Sequence, residues 1–123
     1  MLGHLSFGVN DLDRAVDFYD KILAPLGYVR IWTNERGAGF GEKGGNDRFA
    51  LFSWPGQAAP PGPGFHVSFV APSREAVDAF HAAAILGGGK DDGAPGLRLH
   101  YGLDYYAAFI IDPDGYKLEA KHQ

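Results

Sequence analysis

Cysteine is absent from the 123 residues, which excludes disulfides, thiolate metal ligands and a cysteine nucleophile. Histidine, aspartate and glutamate are therefore the only strong metal ligands that the chain could offer. Runs of lysine or arginine are also lacking, and the formal net charge is −4. Because nucleic acids and anionic membranes are bound through dense positive charge, we expect neither as a partner.

Long apolar stretches are missing as well. No segment approaches the roughly 20 residues needed to cross a bilayer, and the start of the chain lacks a basic stretch followed by an apolar core. We therefore expect a cytoplasmic protein. With 46% hydrophobic and 21% charged residues the composition is that of an ordinary globular protein, and 123 residues are enough for a single core.

An internal repeat organises the chain. The run His4 to Phe7 (HLSF) returns as His66 to Phe69 (HVSF), about half the chain later. Between the two copies lies a segment rich in proline and glycine, residues 57–64, which predicts a connector. We interpret the chain as one domain with a first module at 1–56, a linker at 57–64 and a second module at 65–123.

Each module begins with a strand pattern followed by a helix pattern. Apolar residues alternate after His4 and again after Phe65, and Asp11 and Ser73 are suited to cap the helices that follow. Short strand-like segments separated by glycine come next, although the pattern is indistinct before His100 and we expect residues 93–96 to form a glycine-rich loop. The prediction is an α+β fold of two βαβββ modules, whose cup-shaped mixed sheet encloses one cavity.

Three side chains are candidate metal ligands. His4 and His66 hold equivalent places in the repeat, and Glu119 lies on the polar face of the last strand pattern, so we expect them to converge. Two imidazoles and one carboxylate leave coordination positions open for substrate on a divalent ion such as Fe, Mn, Ni or Zn. The alternative is ordinary: hydrogen-bonded strand histidines and a surface glutamate between two lysines.

Other residues could line the cavity. Aromatic side chains are numerous for so small a domain, and a planar or partly apolar ligand would suit them. His100 and Tyr101 follow the expected glycine-rich loop and are candidate catalytic residues. The alternative is that most of the aromatics are core residues and that His100 is an exposed loop histidine. The aromatic candidates for substrate binding are Trp32, Phe40, Phe52 and Tyr105.

Both ends of the chain resemble a known family. The segment from His4 to Tyr19 is similar to the opening of vicinal oxygen chelate proteins, the glyoxalase/bleomycin resistance/extradiol dioxygenase superfamily. The run Asp112 to Glu119 (DPDGYKLE) is similar to their last hairpin. The resemblance implies that His4, His66 and Glu119 are the metal ligands, and a match to fosfomycin thiol transferases implies that Ser6 contacts substrate.

Departures from the patterns of the family's subtypes reduce the number of activities to be expected. Glyoxalase I adds a ligand from the last strand of its first half, but residues 48–54 (RFALFSW) offer none, so glyoxalase I activity is disfavoured. Extradiol dioxygenases have a histidine ahead of the final hairpin, matched by His100, but a tyrosine where this chain has Phe109. The potassium loop of fosfomycin thiol transferases is missing.

Two functions remain. The first is a divalent-metal-dependent enzyme of lyase, isomerase or dioxygenase type that acts on a small oxygen-chelating substrate. The second is a metal-free small-molecule binding or antibiotic-sequestering protein of the bleomycin-resistance type. In either case the partner is a small molecule, and we expect a homodimer because sheets of this kind expose edges.

Overall fold

A computed structural model describes all 123 residues, and its elements follow the order β, α, β, β, β twice. The predicted α+β fold is confirmed, because two four-stranded mixed sheets each carry one helix. The first module contains β1 (Leu5–Val9), α1 (Leu12–Leu23), β2 (Tyr28–Thr33), β3 (Gly37–Glu42) and β4 (Phe49–Ser53). The second contains β5 (Val67–Val70), α2 (Arg74–Leu86), β6 (Lys90–Leu97), β7 (Tyr106–Ile111) and β8 (Lys117–His122).

The helices begin where their capping residues predict. The Asp11 side chain accepts a hydrogen bond from the Arg14 amide at 3.1 Å, and Ser73 accepts one from the Ala76 amide at 3.1 Å. Each cap satisfies an amide that the first turn leaves unpaired. After α1 a short 3-10 turn ends at Gly27, whose φ of 89° is a left-handed conformation that suits glycine.

The two sheets share one topology. Their strand orders are β1-β4-β3-β2 and β5-β8-β7-β6, with β1 parallel to β4 and β5 parallel to β8. In the first sheet Ser6 lies opposite Ala50, and at the equivalent place in the second sheet Ser68 lies opposite Glu119. The first strand of each module is thus an edge strand, with one side unpaired in the single chain.

One hydrophobic core joins both modules. Buried side chains from both sheets and both helices form a continuous cluster, and α1 contacts α2 directly. The helix-covered faces of the two sheets therefore look toward a common interior, and the opposite faces, here called the open faces, look outward. This corrects one expectation: the open faces do not meet over a cavity within a single chain.

The seam between the modules is held by an aromatic stack and polar contacts. Phe7 of β1 stacks on Tyr116 with ring centroids 4.0 Å apart, and the Tyr116 hydroxyl donates to the Gly8 carbonyl at 2.8 Å. Asn10, just after β1, donates through Nδ2 to Oδ1 of Asp114 at 2.9 Å. These contacts fix the last hairpin of the second module against the first strand of the first.

The segment before His100 is the main departure from the predicted elements. Residues 93–96, expected as a loop, belong to β6, which pairs with β7. The pairing register shifts between Asp91 and Gly93 and again between Gly93 and Gly96. These irregularities remove the period-two alternation by which a strand is recognised in sequence. None of the helices has the length and apolar character needed to span a membrane.

Candidate functional site

The open face of the second sheet carries a polar centre around Glu119. This carboxylate is 3% exposed, and it lies within 3.1 Å of His66 Nε2 through Oε1. Its other oxygen, Oε2, accepts a hydrogen bond from the Tyr105 hydroxyl at 2.6 Å. The His66 side chain is 43% exposed, so the buried carboxylate holds an imidazole whose ring is open to a ligand. Two of the three predicted metal ligands are brought together here.

Tyr105 is held in its protonated form. Burial and the hydrogen bond to Glu119 raise the pKa of this phenol to about 12, because a tyrosinate beside a carboxylate is electrostatically unfavourable. The Lys121 ammonium lies 5.2 Å from the centre of the Tyr105 ring. Tyr101 packs 5.2 Å from Tyr105 and 4.1 Å from His100, between ring centroids. The two predicted catalytic residues therefore flank the centre without hydrogen bonding to it.

A cavity of about 430 Å³ opens beside this centre. Phe109 lies opposite Glu119 in the strand register and 6.2 Å from the His66 ring, between centroids. Two cations pack on Phe109: the Arg98 guanidinium carbon at 5.5 Å and the Lys117 ammonium at 5.2 Å from the ring centre. The cavity is lined by Gly64, Phe65, His66, Asp92, Gly93, Arg98, His100, Tyr101, Phe109 and Lys117.

His4 lies apart from the other two predicted ligands. It is exposed just before β1 and lines a second cavity of about 410 Å³, which includes Ser68 but neither His66 nor Glu119. No group of three or more histidine, aspartate or glutamate side chains is arranged to hold a metal ion. The expectation that three ligands converge within one chain is therefore corrected, because His4 belongs to the open face of the other sheet.

The open face of the first sheet is apolar and aromatic. Trp32 lies across Gly39, with indole Nε1 only 2.1 Å from the point where a Cβ at residue 39 would lie. Phe52 is 38% exposed and packs against Trp32 with ring centroids 5.9 Å apart. Ser6 is exposed on this face opposite the buried Ala50. These three predicted substrate-binding residues therefore lie together on a face that bears no carboxylate.

Phe40 does not join them. It is 1% exposed and lies on the core face of β3, packed near Tyr19 and Phe49, where it also forms part of the floor of the cavity beside His4. Phe40 alternates with Gly39 and Gly41 along β3 and so points the opposite way, and its contact with substrate stays a prediction.

Known proteins resemble this chain in both sequence and fold. The profile of the Glyoxalase/Bleomycin resistance protein/Dioxygenase superfamily matches residues 1–120. The chain belongs to this superfamily. A glyoxalase/bleomycin resistance protein from Albidiferax ferrireducens T118 is 35% identical, with a TM-score of 0.84 over 100% of this chain and 98% of that one. No protein of curated function is similar enough in sequence to count as a match.

More distant members of the superfamily share the fold. A putative glyoxalase from Bacillus halodurans is 24% identical with a TM-score of 0.73, over 100% of this chain and 96% of that one. The genomically encoded fosfomycin resistance protein FosX from Listeria monocytogenes is 18% identical with a TM-score of 0.72, over 100% and 93% of the two chains. At these identities the likeness shows the architecture, and the chemistry has to be argued from the side chains.

The donor set of the second open face suits a divalent ion of the kind that superfamily members often use. An imidazole nitrogen and a carboxylate oxygen 3.1 Å apart are separated as two ligands of one ion can be. Without a metal, the same two atoms satisfy each other. A third protein ligand is what the single chain does not supply.

Several residues of this site were not predicted from the sequence. Arg98 and Lys117 pack on Phe109, and Ser68 lies opposite Glu119. Ser68 could have been found, because it is the repeat equivalent of Ser6. Lys117 lies two residues before Glu119 on β8 and so shares its face. Arg98 could not be found from the sequence, because the register shifts in β6 remove the alternation that would predict the direction of its side chain.

Proposed function

We propose that the protein is a divalent-metal-dependent enzyme of lyase, isomerase or dioxygenase type, whose metal is held by His66 and Glu119 of one chain and His4 of a second copy. The observation that carries the proposal is the buried Glu119 carboxylate paired with the accessible His66 imidazole at 3.1 Å on an open sheet face. A buried carboxylate is costly unless something compensates its charge, and a bound cation would do so.

The direction of the open faces supports a second copy. Since both sheets turn their helix-covered faces to one core, the apolar open face and the polar open face lie on the outside of the molecule. Each face ends at an edge strand with unpaired backbone groups, β1 beside His4 and β5 beside His66. A symmetric dimer in which β1 of one copy approaches β5 of the other would cover these edges and form two equivalent sites.

In such a site a bound metal would supply Lewis-acid polarisation of the substrate oxygens. The chain's own residues bind and orient. Tyr105, which keeps its proton because its pKa is raised to about 12, donates its hydroxyl hydrogen to Glu119 Oε2 and so orients the carboxylate. The aromatic face of Trp32 and Phe52 would exclude water from the opposite side and pack on the apolar part of the substrate.

The test mixes two variants. His4→Ala and His66→Ala are purified separately, and each alone should lose bound metal, measured by elemental analysis after loading with Fe, Mn, Ni or Zn. In a heterodimer of the two, one site combines His4 of one chain with His66 and Glu119 of the other, and the second site lacks both histidines. Mixing after dissociation should therefore restore metal at one site per heterodimer.

His81→Ala is the matched control, since His81 of α2 pairs with Asp91 of β6 and lines neither cavity, and the variant should leave metal binding unchanged. Metal retained by His66→Ala would refute the proposal. Metal lost in the single variants and not recovered in the mixture would refute the shared site. A species of 13 kDa in sedimentation, at concentrations where the protein binds metal, would also contradict the dimer.

The second candidate is a metal-free binding protein of the bleomycin-resistance type. What favours it is that both Glu119 oxygens already have partners, His66 and Tyr105, so that no cation is needed to satisfy them. Quenching of Trp32 fluorescence by a planar aromatic ligand, equal with and without a chelator, would support this function over the first. In either case a small molecule is the proposed partner, and nucleic acid and membrane are not; the cytoplasmic location stays a prediction.

Glyoxalase I activity is not part of the proposal. The place equivalent to Glu119 in the first sheet is taken by Ala50, opposite Ser6, and the remaining residues of β4 offer no carboxylate or imidazole. A fourth protein ligand is therefore not available from that strand. Activity with the hemithioacetal of glutathione, at a level above that of free metal, would overturn this exclusion.

A further inference from the structure

A cation without a carboxylate partner lies in the wall of the cavity beside Glu119. Arg98 follows β6 directly, and its Nη1 and Nη2 donate to the carbonyls of Gly96 at 3.0 Å and Ala94 at 2.8 Å. No acidic side chain forms a salt bridge with it. The backbone carbonyls fix the guanidinium in one place and use only two of its five donor hydrogens, so the others are free for a ligand.

The strand is shaped to hold Arg98 there. At Gly93, φ is 151°, and a Cβ at this residue would come within 3.1 Å of both Arg98 Nη2 and a Phe109 ring carbon. A side chain at residue 93 would therefore push the guanidinium off the Phe109 ring. The register shifts on either side of Gly93, together with its lack of a side chain, leave the space that the guanidinium occupies.

The cavity as a whole has an excess of positive charge. Its lining includes two permanent cations, Arg98 and Lys117, and one carboxylate, Asp92. Asp92 is already paired with Lys117 at 3.0 Å, which leaves the Arg98 charge uncompensated. Glu119 lies behind His66 and does not line the cavity. The free donors of Arg98 thus face a space in which an anion is the missing partner.

We propose that this cavity takes a ligand bearing an oxyanion, a carboxylate or a phosphate, which Arg98 binds through its free N–H groups while Phe109 and Tyr101 pack on the body of the ligand. A guanidinium suits both groups because its donors match two oxygens of one anion. The inference rests on the proposed function only in taking this open face as the ligand site. It names the substrate class that either an enzyme or a binding protein would accept here.

The experiment compares three probes that share one ring: benzoate, phenyl phosphate and neutral benzamide. Each is titrated into ¹⁵N-labelled protein in the presence of a chelator, and the shifts of the Arg98 side-chain and Phe109 amide signals are followed by NMR. At least one anion should bind about tenfold or more tightly than benzamide, the gain expected for a charge-assisted hydrogen-bonded pair. Which anion binds better tells a carboxylate site from a phosphate site.

Arg98→Gln should abolish the preference for anions, and Arg98→Lys should retain only part of it because the fork of donors is lost. Arg36→Gln, which removes an exposed arginine from the β2–β3 turn of the other sheet, is the control and should keep the preference. Amide spectra of each variant establish that it is folded.

Equal binding of benzamide and both anions, no binding of either anion, or an unchanged preference in Arg98→Gln would overturn the inference. Failure of the proposed function is a separate result. A chain that binds anions in chelator but never binds metal keeps this inference and loses the metal-dependent enzyme, and the reverse outcome keeps the enzyme and loses the oxyanion site.

Discussion

The two open faces are built on the same strands and carry opposite chemistry. Across the middle of the first sheet lie, in strand order, Ser6, Ala50, Gly39 and Trp32. Across the equivalent row of the second lie Ser68, Glu119, Phe109 and Gly93. The serine is kept, the alanine corresponds to the buried glutamate, and the large and small residues of the outer two strands are exchanged.

The difference follows from which side chain each glycine makes room for. In the first sheet a glycine makes room for an indole that covers the face, so the row offers apolar surface. In the second sheet the aromatic residue, Phe109, is on the inner strand β7. The glycine beside it, Gly93 of the edge strand β6, makes room for the Arg98 guanidinium. One face therefore supplies burial and the other supplies charge, and a ligand held between two copies would meet both.

The most disruptive single substitution would give the first sheet the carboxylate of the second. Ala50 is 2% exposed, and of the two groups that hold Glu119 in the second sheet the first sheet offers only a histidine, the exposed His4 in the place of His66. We expect Ala50→Glu to lower the free energy of unfolding by about 3 kcal/mol, because a carboxylate buried beside an exposed imidazole, without a hydroxyl donor in the place of Tyr105, is strongly unfavourable. Urea unfolding measures this loss.

Ala50→Gln is the control, since it has nearly the same volume without the charge. The reasoning predicts that Ala50→Glu regains stability relative to Ala50→Gln as the pH falls and the added carboxylate takes up a proton. A gap between the two variants that does not change with pH would contradict it and point to crowding alone.

A smaller effect is expected at Gly39. A Cβ here would collide with the Trp32 indole, so Gly39→Ala must displace that side chain from the face. We expect a loss of about 1–3 kcal/mol in the free energy of unfolding, typical of overpacking. The emission of Trp32 should shift to longer wavelength as the indole enters water, measured in a Trp54→Phe background so that only one tryptophan emits. An unchanged spectrum would mean that Trp32 does not depend on the glycine.

The smallest effect concerns Tyr105 and is visible in the dependence on pH. The folded-state pKa of about 12 is above the unfolded value near 10, so the folded state holds this proton more tightly. Its contribution to stability is therefore complete below about pH 10 and is lost as the pH rises toward 12. Tyr105→Phe should lower stability by about 1 kcal/mol at neutral pH.

The Tyr105→Phe variant should also fall less steeply than the parent chain between pH 10 and 12. Other buried tyrosines with raised pKa values, such as Tyr19 and Tyr116, contribute equally to both chains and so cancel in the difference. Thermal unfolding of the two proteins across this range gives the comparison. Parallel curves would mean that the hydrogen bond to Glu119 does not hold the proton.

Much of the fold was accessible from the sequence because its signals are local. The alternation from Leu5 to Val9 and the caps Asp11 and Ser73 each act over a few residues, and the structure has these elements as predicted. Because of the repeat, the strand and helix predicted at the start of the first module are also predicted at the start of the second. β6 could not be predicted, since its bulges break the alternation that identifies a strand.

The sequence allowed the candidate site to be predicted only within each module. Alternation on β8 correctly placed Glu119 on the face away from the core, and the repeat correctly assigned His66 to the same open side. Whether His4 joins them depends on how two modules pack, which is decided by long-range contacts such as the Phe7 stack on Tyr116. A repeat shows that two faces are equivalent and does not say whether they face each other.

That seam also ties the chemistry of one half to the position of the other. The hairpin that ends at Tyr116 leads directly into the strand of Glu119, and its turn is anchored through Asp114 to Asn10 of the first module. Glu119 therefore lies three residues along the strand from a joint shared by both halves. The position of this carboxylate is in this way set by the contact between the two modules as well as by the strands of its own sheet.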